Sequence, residues 1–252
     1  MISLKNVSKA YNSFLAVDHL YLEINKEFFV FLGPNGAGKT STIKMMTGLI
    51  TPTSGEISIN GIDLLKNPIE AKKQFGLVPD QPALYEKLTA REFVQFVGTV
   101  YKVPDTKVEE RMNRLFDIFE LAERIDDLIE DFSHGMKQKV ALVAALIHEP
   151  AVLFLDEPTV GLDPHAVRNL KDLLRGLVAR GTTVFMSTHI LEIAEQMCDR
   201  VGIIDKGKLL AVGTLNELRA NSSSPGGSLE DIFLELTGTP YQSKVKDFLE
   251  TF

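Results

Sequence analysis

Eight consecutive residues, Gly33-Pro34-Asn35-Gly36-Ala37-Gly38-Lys39-Thr40, fit the phosphate-binding pattern G-x-x-x-x-G-K-[ST] at every fixed position. Their flanks supply the context that gives the pattern weight. The apolar run Phe28 to Leu32 predicts a buried strand, and Thr42-Ile43-Lys44-Met45-Met46 predicts a helix. Glycines let successive backbone N–H groups point inward, and the helix N-terminus adds partial positive charge, so the stretch predicts a cradle for a triphosphate. Lys39 would reach the β- and γ-phosphates, and the Thr40 hydroxyl would meet Mg²⁺.

A phosphate loop alone suits kinases, GTPases and many ATPases, so the class must be read elsewhere. The strand Val152-Leu153-Phe154-Leu155 runs into Asp156-Glu157. An apolar strand ending in Asp is the arrangement that holds Mg²⁺ beside such a loop, usually through a coordinated water. Glu157, one residue on, is placed to take a proton from water attacking the γ-phosphate. Ser187-Thr188-His189 closes the following strand. If the two strands are neighbours, His189 lies beside Glu157, where it could bond the γ-phosphate and fix the attacking water. His19, His148 and His165 have no such context and read as structural.

The elements that must position these groups fall into three regions. Residues 1 to about 80 hold short strand candidates at Ile2–Val7, Leu20–Ile24, Phe28–Leu32, Glu56–Ile59 and Phe75–Val78, punctuated by turn signals at Thr53-Ser54-Gly55 and Asn60-Gly61. Residues 82 to 148 read as helical. Thr89-Ala90-Arg91-Glu92 has capping-box spacing, and Phe93, Phe96, Val97, Val100 and Tyr101 follow on one face, as do Val108, Met112, Leu115, Phe116 and Phe119. Both stripes read as core packing. The third region alternates strand and helix: a strand over Ala151–Leu155, a helix through Val167–Leu177, a strand over Thr182–Ser187, a helix over Leu191–Met197 and a strand over Val201–Ile204. That order predicts an α/β fold built on a mainly parallel sheet with helices packed on it. Asn221 to Ser228 has the composition of a flexible linker. Beyond it, Leu229, Ile232, Phe233 and Leu236, then Val245, Phe248, Leu249 and Phe252, keep amphipathic-helix spacing through a tail, 229–252, that needs an apolar face covered.

Composition excludes some partners. A net charge of −7 argues against nucleic acid, whose non-specific binding needs Lys and Arg on phosphates. An apolar fraction of 44% and a charged fraction of 24% are those of an ordinary globular chain, and 252 residues give ample length for a core. The single cysteine, Cys198, allows no internal disulfide and gives no sign of an oxidising compartment. The start, Met1-Ile2-Ser3-Leu4-Lys5, lacks the pattern of a secretory signal. The best apolar run, Val140 to Ile147, falls well short of the roughly eighteen residues that span a bilayer. The expectation is a cytoplasmic chain whose membrane role, if any, runs through a partner.

In this order the features resemble the nucleotide-binding subunit of ATP-binding-cassette (ABC) transporters, over about residues 2 to 220. The most discriminating element is Phe132-Ser133-His134-Gly135-Met136-Lys137-Gln138, which is similar to the family signature L-S-G-G-Q. The resemblance implies a P-loop core, an N-terminal antiparallel β subdomain, an inserted helical subdomain over about 82–148, and ATP with Mg²⁺ as cofactors. It also implies that Ser133, Gly135 and the N–H groups at a helix start cap the nucleotide held by an opposite subunit. A complete site then needs two chains, a homodimer or a pair with a related second cassette. Asp163 matches the loop after the catalytic Glu, and Tyr11 sits where the family stacks an aromatic on adenine.

Four positions depart from the pattern. His134 replaces a signature glycine, which would be strained if that position needed positive φ, and Met136 replaces the glutamine. Asp80 stands where a glutamine normally meets Mg²⁺ and water, and Ser41 follows Thr40 in the loop. Ser-His-Gly-Met resembles cassettes paired with separate export permeases. The tail Ser228 to Thr237 resembles those of drug, antibiotic or lipid exporters. The implied function is an ATPase that drives an integral membrane permease, peripheral on the inner face of the cell membrane. Two other readings fit the motifs: a non-transport cassette ATPase of translation or DNA repair, and an inactive regulatory cassette.

Overall fold

The computed structural model describes residues 1–222 and 227–238. Strand β2 (Phe14–Ile24) alternates buried and exposed side chains over its second half, as a strand with one solvated face does, while β1 (Ile2–Tyr11) buries Ile2 to Leu4 and Val7-Ser8 and exposes Lys5-Asn6 between them. They pair antiparallel, with Ile2 opposite Ile24 and Tyr11 opposite Phe14. Both run longer than their hydrophobic patterns suggest. β3 (Phe28–Leu32) leaves for a second sheet, while β4 (Ser54–Ile59) and β5 (Ile62–Asp63) complete the first in the order β2-β1-β4-β5. Ser54 and Gly55, read as turn residues, already belong to β4, where Ser54 faces Ser8.

The second sheet contains β3, β6 (Phe75–Val78), β7 (Val152–Asp156), β8 (Thr183–Thr188), β9 (Arg200–Asp205) and β10 (Lys208–Gly213), in the order β10-β9-β3-β8-β7-β6. All neighbours are parallel except β10, which pairs antiparallel with β9 at one edge. Every side chain of β3, β7 and β8 is buried, the signature of strands covered on both faces. On one face Phe29, Phe31, Phe154 and Phe185 pack ring to ring, with centroids 5.4 to 6.0 Å apart. Each fully buried ring of this kind contributes about 1.5–3 kcal/mol. Asp156 is level with Ser187, and Leu32 with Thr188. The carboxyl ends of β3, β6, β7 and β8 therefore open onto one edge, where open α/β sheets hold ligands.

Helices α1 (Lys39–Met46) and α2 (Pro68–Lys72) belong to the first half of the chain. The inserted helical part contains α3 (Ala90–Val100), α4 (Asp105–Ile118) and α5 (His134–Leu146). The capping box forms as expected: the Thr89 N–H donates to Glu92 Oε2 at 2.9 Å and the Glu92 N–H to Thr89 Oγ1 at 3.1 Å. The α4 stripe packs inward, with Val108, Met112, Leu115, Phe116 and Phe119 all buried. The α3 stripe does not stay whole. Phe93 is buried, yet Phe96 and Val100 are 45% and 61% exposed. Helical spacing groups residues on a face without fixing how wide a strip the neighbours cover.

α6 (Pro164–Ala179) and α7 (Leu191–Met197) follow β7 and β8. α8 (Leu215–Asn221) and α9 (Leu229–Thr237) fold back on α7. Glu195 of α7 accepts from Arg219 at 2.7 Å and from the Leu229 N–H at 3.3 Å, and Leu229 and Ile232 enter the core. Asn221 closes α8 and Ser228 caps α9, so both ends of the expected linker are helix ends; its middle, 223–226, lies outside the described residues. So does the tail's second apolar set, Val245, Phe248, Leu249 and Phe252. Among the described residues no helix is long and apolar enough to cross a bilayer.

Candidate nucleotide site

Because β3 ends at Leu32 and α1 starts at Lys39, the loop between them sits at the carboxyl edge of the sheet. Gly36 and Gly38 take φ values of +81° and +109°, which L side chains rarely adopt. The loop N–H groups of Gly36, Gly38, Lys39 and Thr40 have no hydrogen-bond partner among the described residues. Lys39 is buried; its Nζ donates to the carbonyls of Gly33 at 2.7 Å and Pro34 at 3.2 Å and lies 3.5 Å from Glu157 Oε1.

Strand neighbourhood brings the second group in. β7 and β8 are adjacent, and His189 Nδ1 lies 3.0 Å from Glu157 Oε1, as the sequence predicts for neighbouring strands. Glu157 holds φ +49°, a left-handed conformation costly for a non-glycine residue and concentrated at functional positions. Its N–H reaches the Ser187 carbonyl at 3.2 Å, which braces the turn. Its other oxygen, Oε2, is buried with no partner. One carboxylate oxygen is thus anchored between Lys39 and His189, and one keeps unused acceptor capacity.

Asp156 is 3% exposed and accepts from the Ser187 hydroxyl. Burial raises its pKa above the ordinary carboxylate value; the Ser187 and Thr40 hydroxyls oppose this, and the charges of Asp80 and Glu157 add to it. The Thr40 hydroxyl therefore stands beside Asp156, and Asp80 acts on it through its charge. Ser187 is the part sequence reading missed, although its position just before Thr188-His189 was already in view. The donor set of Thr40, Asp156 and Asp80 is all hard oxygen, which suits Mg²⁺. The unpartnered N–H groups and positive-φ glycines suit phosphate oxygens. These residues fit a magnesium nucleotide.

A folded-state carboxyl pKa above its unfolded value means that ionisation costs stability, beginning as pH rises past the unfolded value of about 3.9 and complete above the folded one. Asp156→Asn is therefore expected to raise Tm at pH 7 without Mg²⁺, while removing Mg²⁺-dependent turnover. Calorimetry and an ATPase assay on one preparation check this; a lower Tm would contradict the carboxylate crowding.

The signature residues lie at a helix start. Ser133 caps α5, its exposed hydroxyl accepting from the Met136 N–H at 3.3 Å. His134 has no positive φ, so the strain that its replacement of glycine raised is absent. Asp163 caps α6, accepting from the Ala166 N–H at 2.8 Å, and pairs with Lys139 at 3.1 Å; both bonds hold its carboxyl below the ordinary range. Tyr11 is 45% exposed under Lys9, which excludes a core role. It ends β1 opposite Phe14 of β2, the strand whose Ala16 abuts Gly38.

The remaining histidines stay outside the site. His148 stacks on Tyr101 with ring centroids 3.7 Å apart and reaches the Phe75 carbonyl at 3.1 Å. Burial lowers its pKa, so protonation of the unfolded chain below about pH 6.5 opposes folding. Stability should fall between pH 7 and pH 5.5, and fall less in His148→Gln. Equal slopes in urea unfolding across that range would refute the assignment. Cys198 is buried, its thiol pushed up to about 11, and has no reactive character.

Comparison with known proteins agrees with this geometry. Residues 17–160 match the ABC transporter family. The chain is 39% identical over 238 residues to the linearmycin resistance ATP-binding protein LnrL of Bacillus subtilis (strain 168), covering 94% of this chain and 75% of that one. A solved ATP-binding subunit of an ABC transporter superposes with a TM-score of 0.90 at 36% identity, covering 94% of this chain and 99% of that one. The cassette MJ0796, solved as a post-hydrolysis dimer bound to ADP and Pi, gives 0.79 at 27% identity, covering 85% and 99%. The chain belongs to the ABC transporter family. It is an ATP-hydrolysing cassette of that family.

Proposed function

We propose that this cassette drives export of a drug, antibiotic or lipid-like substrate from the inner face of the cell membrane, held there by its permease. The name of LnrL, a resistance protein, and the exporter-like tail Ser228 to Thr237 support export. The observation that carries the catalytic reading is the Glu157 carboxylate, anchored on one oxygen by Lys39 and His189 and unpartnered on the other.

In this reading the backbone of Gly33 to Ser41 and the Lys39 ammonium hold the β- and γ-phosphates. Thr40, Asp156 and Asp80 would hold Mg²⁺, whose charge would supply phosphate neutralisation. Glu157 takes the proton of the attacking water, and His189 fixes that water. Ser133, Gly135 and the start of α5 cap the γ-phosphate bound by a second protomer, with Asp163 beside the junction and Tyr11 stacked on adenine. ATP joins the protomers because both contact its γ-phosphate, and hydrolysis removes those contacts, so the sandwich opens.

The permease side is the turn and helix around Tyr85 and α3. Tyr85 and Phe96 meet edge-on at 5.6 Å and are 61% and 45% exposed. Beside them a groove of about 260 Å³ runs between Leu84, Phe93, Val97, Tyr101 and His148. Tyr85→Ala/Phe96→Ala is expected to keep the ATPase activity of the isolated subunit and to lose co-purification with the permease; undiminished capture would move the contact elsewhere. Solubilising membranes and identifying the integral protein that accompanies the wild-type subunit tests the function itself. Recovery with ribosomes or DNA instead would favour a non-transport cassette.

A further inference from the structure

On the sheet edge opposite the phosphate loop, where Pro150 and Thr182 lead into β7 and β8, lies a second cleft. α4, the end of α5 and the last turns of α6 enclose about 360 Å³ there, a volume within the range of small-molecule sites, about 300–1,000 Å³. Its apolar surface is leucine: Leu115 of α4, Leu146 of α5, and Leu173 and Leu177 of α6. The first two are buried and the other two pack on the core while partly exposed. Three guanidiniums line the same cleft, and they differ in what they already bond. Arg111 donates to the Ile147 carbonyl at 2.8 Å and to the Glu149 carboxylate, bonds that tie α4 to the end of α5. Arg114 has only Glu110, 2.9 Å away on its own helix, and its side chain is 76% exposed. Arg180 has no acidic partner among the described residues. Glu149 is the one carboxylate in the lining, so three cations face one anion on a chain whose net charge is −7.

We propose that this cleft binds a single-chain amphiphile with an anionic head, the head on Arg114 and Arg180 and the chain along the leucines. The two halves of the lining select this class together. A small polar anion would use the arginines and leave the leucines in water. A neutral hydrocarbon would cover the leucines and leave the guanidiniums unused, and a cationic amphiphile would be repelled. The planar forks of arginine match the paired oxygens of a carboxylate or a phosphate monoester, and hydrocarbon laid on leucine adds affinity with each methylene. Arg111 keeps its bonds to the end of α5. The site shares no residue with the nucleotide site, so it is occupied independently of ATP.

The test is equilibrium dialysis of the full chain against radiolabelled decanoate and, separately, decyl phosphate, each below its micelle concentration. At least one is expected to bind saturably, one molecule per chain, and the tighter of the two identifies the head as carboxylate or phosphate. Its eight-carbon counterpart should bind about tenfold more weakly, because two methylenes are lost from the leucine contact. Neither acetate nor decyltrimethylammonium should displace the probe. Arg114→Gln/Arg180→Gln should weaken binding by about tenfold or more, with Tm and ATP affinity as in the wild type, since both side chains lie at the surface away from the phosphate loop. Leu177→Gln is the second variant and should weaken the ten-carbon probe more than the eight-carbon one. Absence of saturable binding by either anion overturns the proposal, as does displacement by decyltrimethylammonium at the concentrations that decanoate needs. Arginines that serve only to neutralise the carboxyl ends of α5 and α6 would give the double variant a lower Tm and unchanged binding of the probe, and that result overturns it too.

Discussion

Glu157→Gln is expected to bind Mg²⁺·ATP as tightly as the wild type and to hydrolyse it about 10²–10⁴-fold more slowly. Glutamine preserves the size of the side chain and an oxygen that can face Lys39 and His189, which lie 3.5 Å and 3.0 Å from Oε1. The substitution removes the negative charge and the basic lone pair at Oε2. Binding depends on the loop between β3 and α1, which this substitution leaves alone. In the proposed cycle hydrolysis separates the protomers, so ATP-bound dimers should accumulate. A turnover assay with a fluorescent-nucleotide titration decides the matter, and wild-type-like hydrolysis would remove Glu157 from the role of base.

Lys39→Ala should fail at the earlier step. The ammonium is buried among the Gly33 and Pro34 carbonyls and the Glu157 carboxylate, so its charge is already desolvated where phosphates would sit. Charge-assisted bonds of this kind contribute about 1.5–3 kcal/mol. Affinity for ATP is therefore expected to fall by about 10–10²-fold, with hydrolysis lost alongside it. Alanine also leaves Glu157 near fewer positive charges, so the variant should not gain activity at any ATP concentration. Unchanged affinity by titration calorimetry would refute the assignment of the loop.

Much of this site was legible from residue order because its parts are contiguous. The loop Gly33 to Thr40 and the pair Asp156-Glu157 each occupy one short stretch at the carboxyl end of a strand. Neighbouring strands then sufficed to bring His189 to Glu157. Parts that depend on register or close approach were not legible in this way. Ser187 reaches Asp156 only because the two are level across β7 and β8, and Lys139 meets Asp163 only because α5 and the start of α6 lie side by side.

The fold divides likewise. Strongly apolar strands and the α4 stripe were readable from hydrophobic pattern, since burial on a face is the property that pattern encodes. β10, α8 and the short α2 were not, because much of their side-chain surface is exposed and their stability comes from neighbours. The exposed Phe96 and Val100 show the converse error: an apolar stripe wider than the surface that α4 and α5 cover.

The most direct measurement is the structure of Glu157→Gln crystallised with Mg²⁺·ATP. The account expects a two-fold dimer in which the Ser133 hydroxyl of one protomer lies within hydrogen-bond distance of the γ-phosphate held by Lys39 of the other. Nucleotide bound in the loop with Ser133 remote from every phosphate, in any symmetric assembly, would contradict it.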